Sequence, residues 1–185
     1  NSIYSKVHDK YHPELRKFLQ TFSYYDIFII DAKNGNIIYS TFKEIDFATS
    51  LIDGPYKNSG LAEVFKAARN FSDPNQVSFS NFKAYTPSYE DPAAFIASPV
   101  ENDEGDTIAV LAFQISTSKI NKILTMNREW MKKGLGLTGE TYLVSEDYKA
   151  QIRQSATNDA VNDTVKKLKT EEGRRLKSTE TKEEV

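Results

Sequence analysis

Residue types able to do chemistry are scarce in this chain. Histidine occurs twice, at 8 and 12, and cysteine not at all. Thiolate zinc sites, cysteine nucleophiles and disulfides are therefore excluded, and a serine nucleophile would find an imidazole base only in the first dozen residues. The Gly-x-Ser-x-Gly elbow is absent. Asp31-Ala32-Lys33-Asn34-Gly35-Asn36 opens like an EF-hand loop, yet Asn and Gly fall one place off the required spacing and the twelfth position holds no Glu. Glu101-Asn102-Asp103-Glu104-Gly105-Asp106 is acid-rich without a regular ladder of ligands, so both runs read as solvated hairpin turns and no metal is expected. Gly134-Leu135-Gly136-Leu137-Thr138-Gly139 has dinucleotide-loop spacing but no preceding strand, and reads as a linker. Carboxylate pairs abound, and none stands out as an acid/base couple.

More informative are polar heads on apolar stretches. Aromatic and small residues recur through Phe79, Phe82, Tyr85, Tyr89, Ala93, Ala94, Phe95, Ala97, Ala109, Ala112 and Phe113. That mixture suits the wall of a small-molecule pocket, although each aromatic by itself is equally at home in an ordinary sheet core. Tyr85 and Gln114 are the better candidates, because a polar group on an apolar strand needs a partner. If Val77 to Tyr85 is one strand, alternation puts Phe79, Asn81, Lys83 and Tyr85 on a common face. Lys83 and Tyr85 would then hold an anionic or hydrogen-bonding head group, with Phe95, Tyr56 and Phe113 or Gln114 enclosing the rest. The competing reading of Lys83 is a solvated surface lysine.

The elements that must position these residues follow from periodicity. Ile3, Val7, Tyr11, Leu15, Phe18, Leu19 and Phe22 fall at helical steps, with a kink or a break between two helices expected near His12 and Pro13. Tyr25 to Asp31 and Ile37 to Ser40 form a hairpin about Asn34-Gly35-Asn36. Leu61, Val64, Phe65 and Ala68 mark a short helix capped by Ser59. Three extended stretches follow, Val77 to Tyr85, Ala93 to Val100 and Thr107 to Ser116, making five strands after one long helix. A further helix is expected from Ser118 to Lys133 and a strand from Thr141 to Val144. The domain plan is one module with its N-terminal helix at 1–133, a linker and the start of a possible second module at 134–148, and a polar helical or partly disordered tail at 149–185.

Composition agrees with one core. The 185 residues include 39% hydrophobic and 27% charged side chains, enough to fold but with few apolar residues after 149. Twenty-four basic against 26 acidic side chains give a net charge of −2, too even for the positive field that nucleic-acid binding uses. No apolar run reaches the roughly 20 residues that span a bilayer. Beginning at Asn1, the sequence reads as a processed product or a piece of a longer protein.

Several segments, taken in order, resemble the extracytoplasmic Cache sensor domains of bacterial methyl-accepting chemotaxis proteins and related transmembrane receptors. They are Tyr24-Tyr25-Asp26-Ile27-Phe28-Ile29-Ile30-Asp31, Asp46-Phe47-Ala48-Thr49-Ser50-Leu51, Gly54-Pro55-Tyr56, Tyr85-Thr86-Pro87-Ser88, Ala93 to Pro99 and Leu111 to Ser116. The likeness runs over about residues 10 to 148, with Gly134 to Val144 matching the joint before a second module, and Ala48 standing where glycine is expected. It implies an α+β, PAS-like fold: an antiparallel five-stranded sheet, a long N-terminal helix on one face, and a pocket beneath loops and short helices on the other. It also implies a non-enzymatic, cofactor-free domain that binds a small molecule, outside the cytoplasm, within a membrane-anchored homodimer feeding a cytoplasmic kinase pathway. The sensor of a histidine kinase or cyclic-dinucleotide enzyme, and a dimerisation module with a vestigial pocket, are the competing expectations.

Overall fold

The computed structural model describes residues 2–144 and 150–155. Its elements in chain order are α1 (Ile3–Phe22), β1 (Tyr24–Asp31), β2 (Ile37–Ser40), α2 (Gly60–Ala68), β3 (Ser78–Phe79), β4 (Lys83–Ala84), β5 (Pro92–Ala93), β6 (Phe95–Glu101), β7 (Thr107–Ile115), α3 (Thr117–Leu124), β8 (Glu140–Val144) and β9 (Ala150–Ser155). They divide into two compact units, 1–119 and 120–185.

In the first unit an antiparallel five-stranded sheet has the order β2-β1-β7-β6-β3. This is the expected α+β, PAS-like architecture. Ser2 caps α1 by accepting the Ser5 N–H at 3.1 Å, and Ser23 ends it in a left-handed turn with φ 58°. The expected break at Pro13 does not occur: α1 runs through it. Pro13 and Asp9 are both exposed, so the carbonyl that proline deprives of a donor lies on the water side of the helix.

The hairpin between β1 and β2 closes as its sequence dictates. Gly35 takes φ 72°, and the Asp31 carboxylate accepts the N–H groups of Lys33 and Asn34, which accounts for the EF-hand-like run as a turn. Ser59 caps α2 as expected, accepting the Ala62 N–H at 3.2 Å.

The two faces of the sheet differ. Ile27, Leu111 and Phe113 point to α1, where the Phe18 and Tyr24 rings lie 5.7 and 4.6 Å from that of Phe113. The opposite face meets α2 and the loops. Phe28, Ile30, Leu61, Val64, Phe65, Phe95, Val110 and Ala112 form its core, each at most 1% exposed.

The expected strand from Val77 to Tyr85 is divided. Ser78–Phe79 joins the main sheet beside β6, whereas Lys83–Ala84 pairs with Pro92–Ala93 in a separate ribbon. Ser80 causes the division: its hydroxyl and N–H both bond the backbone of Phe95, after which the chain leaves the sheet. The ribbon and its 3-10 turn, Thr86–Ser88, form a flap that returns Tyr85 and Ser88 to the interior.

The helix expected from Ser118 to Lys133 stops at Leu124, and positive φ values at Met126, Asn127 and Arg128 prevent its continuation. In the second unit, β8 and β9 pair antiparallel. Ala150–Ser155, at the start of the expected polar tail, is thus a strand paired with β8. The rest of that tail lies outside the described residues.

Candidate ligand-binding site

One defect in the sheet creates the polar interior. Tyr24 opposes Ile115 and Asp26 opposes Gln114, so Tyr25 is an extra, unopposed residue. Two residues after the outward-facing Tyr24, regular alternation would send Asp26 toward α1 as well. The bulge reverses the phase and turns Asp26 to the loop-covered face. There Asp26, Gln114 and Phe95 make one row across β1, β7 and β6.

Asp26 is fully buried and its Oδ1 accepts the N–H groups of Ile27 at 2.7 Å and Thr41 at 2.8 Å. Its other oxygen accepts no hydrogen bond, although the Phe42 N–H also pulls on the carboxylate. Burial, reinforced by the negative charge of Asp46, pushes its pKa from 3.8 up to about 6 against the pull of those amides.

Asp46, also fully buried, comes from the loop between β2 and α2. Its Oδ2 accepts the Tyr85 hydroxyl at 2.5 Å, and its Oδ1 is unpartnered. Burial raises the Asp46 carboxyl above its ordinary range, while burial and the Asp46 charge push the Tyr85 phenol far up, so Tyr85 is a donor at every accessible pH.

Gln114 donates Nε2–H to Ser88 Oγ at 3.0 Å and leaves Oε1 unpartnered. The Ser88 hydroxyl donates onward to Glu44 at 3.2 Å, and Glu44 also accepts from the Tyr25 hydroxyl at 2.9 Å. Burial lifts the pKa of Glu44, and burial together with Glu44 lifts that of Tyr25 to about 12. The half-buried Glu44 is also on the wall of a cleft of about 400 Å³ formed with Leu19, Tyr24, Tyr25, Phe42 and Ser116.

Of the residues expected to bind, four come together and two do not. Tyr85 and Phe95 pack edge to face at 5.0 Å, Tyr56 lies 6.3 Å from Tyr85, and Gln114 sits beside Phe95 in the sheet. Phe113 is on the α1 face, because it neighbours Gln114 in sequence and alternation sends the two to opposite sides. Lys83 is exposed and pairs with Glu63 at 2.9 Å. The shared face with Tyr85 is lost because the strand breaks: Phe79, Asn81 and Lys83 are exposed and Tyr85 is buried.

Asp26, Asp46, Glu44 and Ser88 were not singled out by spacing. A signal for Asp26 was nonetheless present, since a carboxylate interrupts the aromatic and β-branched run from Tyr24 to Ile30.

A second, larger groove of about 490 Å³ lies between α1 and the β1–β2 edge. There the His8 and His12 rings stack at 4.5 Å, His12 Nδ1 is 2.9 Å from the Tyr39 hydroxyl, and Lys43 Nζ is 2.6 Å from His8 Nε2.

No family model and no curated protein matches the sequence. Solved structures do. The extracellular domain of rpHK1S-Z16, assigned as a histidine kinase, superposes with a TM-score of 0.52 at 15% identity, covering 78% of this chain and 55% of that one. The ligand-binding domain of the Pseudomonas aeruginosa PAO1 amino-acid chemoreceptor PctC, in complex with GABA, gives 0.48 at 15% identity over 74% and 53%. That of the Pseudomonas fluorescens chemoreceptor CtaA, in complex with L-serine, gives 0.47 at 16% identity over 71% and 48%. The chain spans about half the length of these structures. With the sheet order already described, the likeness to the first shows that this chain shares the PAS-like α+β fold of that extracellular domain.

Proposed function

We propose that the chain is the small-molecule sensing domain of a membrane-anchored bacterial receptor, a binding module rather than an enzyme. The observation behind this reading is the set of buried polar atoms without hydrogen bonds around the Asp26–Gln114 row: Asp26 Oδ2, Asp46 Oδ1 and Gln114 Oε1. Buried polar groups are almost always satisfied, and leaving one bare costs about 1–3 kcal/mol. Three on neighbouring side chains mark a site completed by something other than the chain. Aromatic walls from Tyr85, Phe95 and Tyr56 suit a small organic guest.

Occupancy would act through the loop that carries Asp46 and the flap that carries Tyr85 and Ser88, shifting the receptor between signalling states by the ligand's differential affinity for them. In the full-length protein we place the domain in the periplasm, within a homodimer fixed in the inner membrane. Its output is control of a cytoplasmic chemotaxis kinase, with a sensor histidine kinase or cyclic-dinucleotide enzyme as the second reading.

A thermal-shift screen against amino acids, carboxylates, amines and nucleobases tests the proposal. A ligand at 100 times its dissociation constant adds about 2.7 kcal/mol of stability. A flat screen would favour a dimerisation module whose pocket no longer binds.

A further inference from the structure

We propose that the ligand is a primary ammonium compound with no carboxylate next to its amine, its nitrogen held between Asp26, Asp46 and the Gln114 side-chain carbonyl. This rests on the sensor reading above and names its ligand class.

The atoms left bare are all of one kind. Asp26 Oδ2, Asp46 Oδ1 and Gln114 Oε1 are all acceptors, on side chains at most 3% exposed. An R–NH3⁺ group offers three donors and no acceptor, which matches such a set. Tyr85 and Gln114 do have donors in the cluster, but these are committed to Asp46 and Ser88. A carboxylate or phosphate entering here would meet the like-charged oxygens of Asp26 and Asp46.

Charge points the same way. Two fully buried carboxylates, with the half-buried Glu44 beyond Ser88, have no lysine, arginine or histidine bonded to them among the described residues. Buried charge without a counter-charge is strongly unfavourable, and a cationic guest would remove that cost where water would not. An α-amino acid would bring a carboxylate for which the cluster has no cation. The lone lysine expected to serve an anion, Lys83, is committed at the surface to Glu63.

A metal ion fits less well than an organic cation. Among the described residues no three carboxylate or imidazole groups converge at ligating distance. The aromatic rings of Tyr85, Phe95 and Tyr56 favour a cation with carbon attached. Glu44 stands in the wall of the neighbouring cleft and is joined to Gln114 through Ser88, so the acidic character extends from the cleft to the cluster.

The test is a set of thermal-shift titrations at pH 7.5 with ethanolamine, 1,4-diaminobutane, glycine, tetramethylammonium and succinate, on the native chain and on Asp26→Asn and Asp46→Asn. At least one of the two amines is expected to raise the melting temperature in a saturable way. Tetramethylammonium, a cation without N–H, and glycine should leave it unmoved, and each Asn variant should bind the active amine at least tenfold more weakly. Both variants keep the side-chain volume, and a sharp melting transition of the empty proteins shows that they fold. Three results would overturn the assignment: no response to either amine, an equal response in both variants, or a response to glycine that matches the amines. A shift with succinate alone would remove the ammonium proposal and leave a sensor, whereas no response to any compound here or in the wider screen would remove both.

Discussion

The loop-covered face of the sheet has two ends, made by the same three strands and built on opposite terms. Toward α2, the rows Phe28, Ala112 and Ala97 and then Ile30 and Val110 pack against Leu61, Val64 and Phe65 with nothing polar between them. One row further along, Asp26 and Gln114 replace the hydrocarbon, and the covering segments supply Asp46, Tyr85 and Ser88 instead of leucine and phenylalanine. The apolar end stabilises the fold through close packing and buried area. The polar end gives up stability, holding two ionisable groups and three unpartnered atoms out of water. A domain that must respond to a ligand needs both, since a cluster satisfied by its own chain would have nothing to gain from a guest.

The largest effect is expected at the apolar end. Phe28→Ala should cost about 3–5 kcal/mol and lower the urea midpoint sharply, because the Phe28 ring is fully buried and packs against that of Phe95 at 6.2 Å. A loss below about 1 kcal/mol would mean that the stabilising core lies elsewhere.

At the polar end the sign reverses. The folded-state pKa of Asp26 is raised from 3.8 to about 6, so in that interval the folded chain holds a proton that the unfolded chain has released. Stability of the empty domain should therefore fall as pH climbs from about 4 to 6 and change little above, by about 3 kcal/mol from this group. Burial of Asp46 adds in the same direction. Asp26→Asn can keep the bonds from Ile27 and Thr41 at its amide oxygen, and should raise stability at pH 7.5 by up to the same amount while flattening the slope. Urea melts at pH 4.5 and 7.5 compare the two proteins, and a variant weaker than the native chain at pH 7.5 would contradict the contrast between the ends.

How far each end can be read from sequence follows from the range of the forces involved. Hairpin, caps and core strands are local: Asn34-Gly35 sets the turn, Ser59 the α2 cap, and alternation the inward Phe95, Ala97, Val110 and Ala112. Tyr85 and Gln114 were legible too, as polar heads on apolar stretches. Asp26 required the bulge at Tyr25, which reverses its face and leaves no local mark, and Asp46 required a loop to return 39 residues before its partner Tyr85. Lys83 was assigned to the pocket on the assumption that the strand runs unbroken, and the Ser80 bond to Phe95 ends it. Between Phe113 and Gln114, alternation leaves only one on the loop-covered face, and it is Gln114.

A smaller effect tests the link between flap and cluster. Tyr85→Phe deletes the donor to a buried carboxylate, so it should destabilise the empty domain by about 1–3 kcal/mol, not leave it unchanged as a residue serving only the ligand would. Combined with Asp46→Asn, the two losses should be markedly non-additive. Additive losses in such a double-mutant cycle would show that the hydroxyl and the carboxylate act independently.

The smallest expected change lies in the loop that brings Asp46 to the cluster. Ala48 adopts φ 63°, in the left-handed region where a Cβ costs about 1–2 kcal/mol, and this is the position at which glycine was expected from the family pattern. Its backbone nevertheless holds the loop in place: Ala48 N–H bonds the Ile37 carbonyl at 3.1 Å, and Thr49 N–H returns to the Asp46 carbonyl at 3.1 Å. Glycine would relieve the steric cost and keep both bonds, while adding roughly 0.5–1 kcal/mol of conformational entropy to the unfolded chain. The balance predicts that Ala48→Gly raises stability by about 0.5 kcal/mol, seen as a higher urea midpoint at unchanged slope. Because the Ala48 side chain is exposed, no packing is lost to offset that gain. A drop in midpoint would show that the strained alanine is what keeps Asp46 turned inward, and that the polar end depends on this loop's rigidity as well as on its charges.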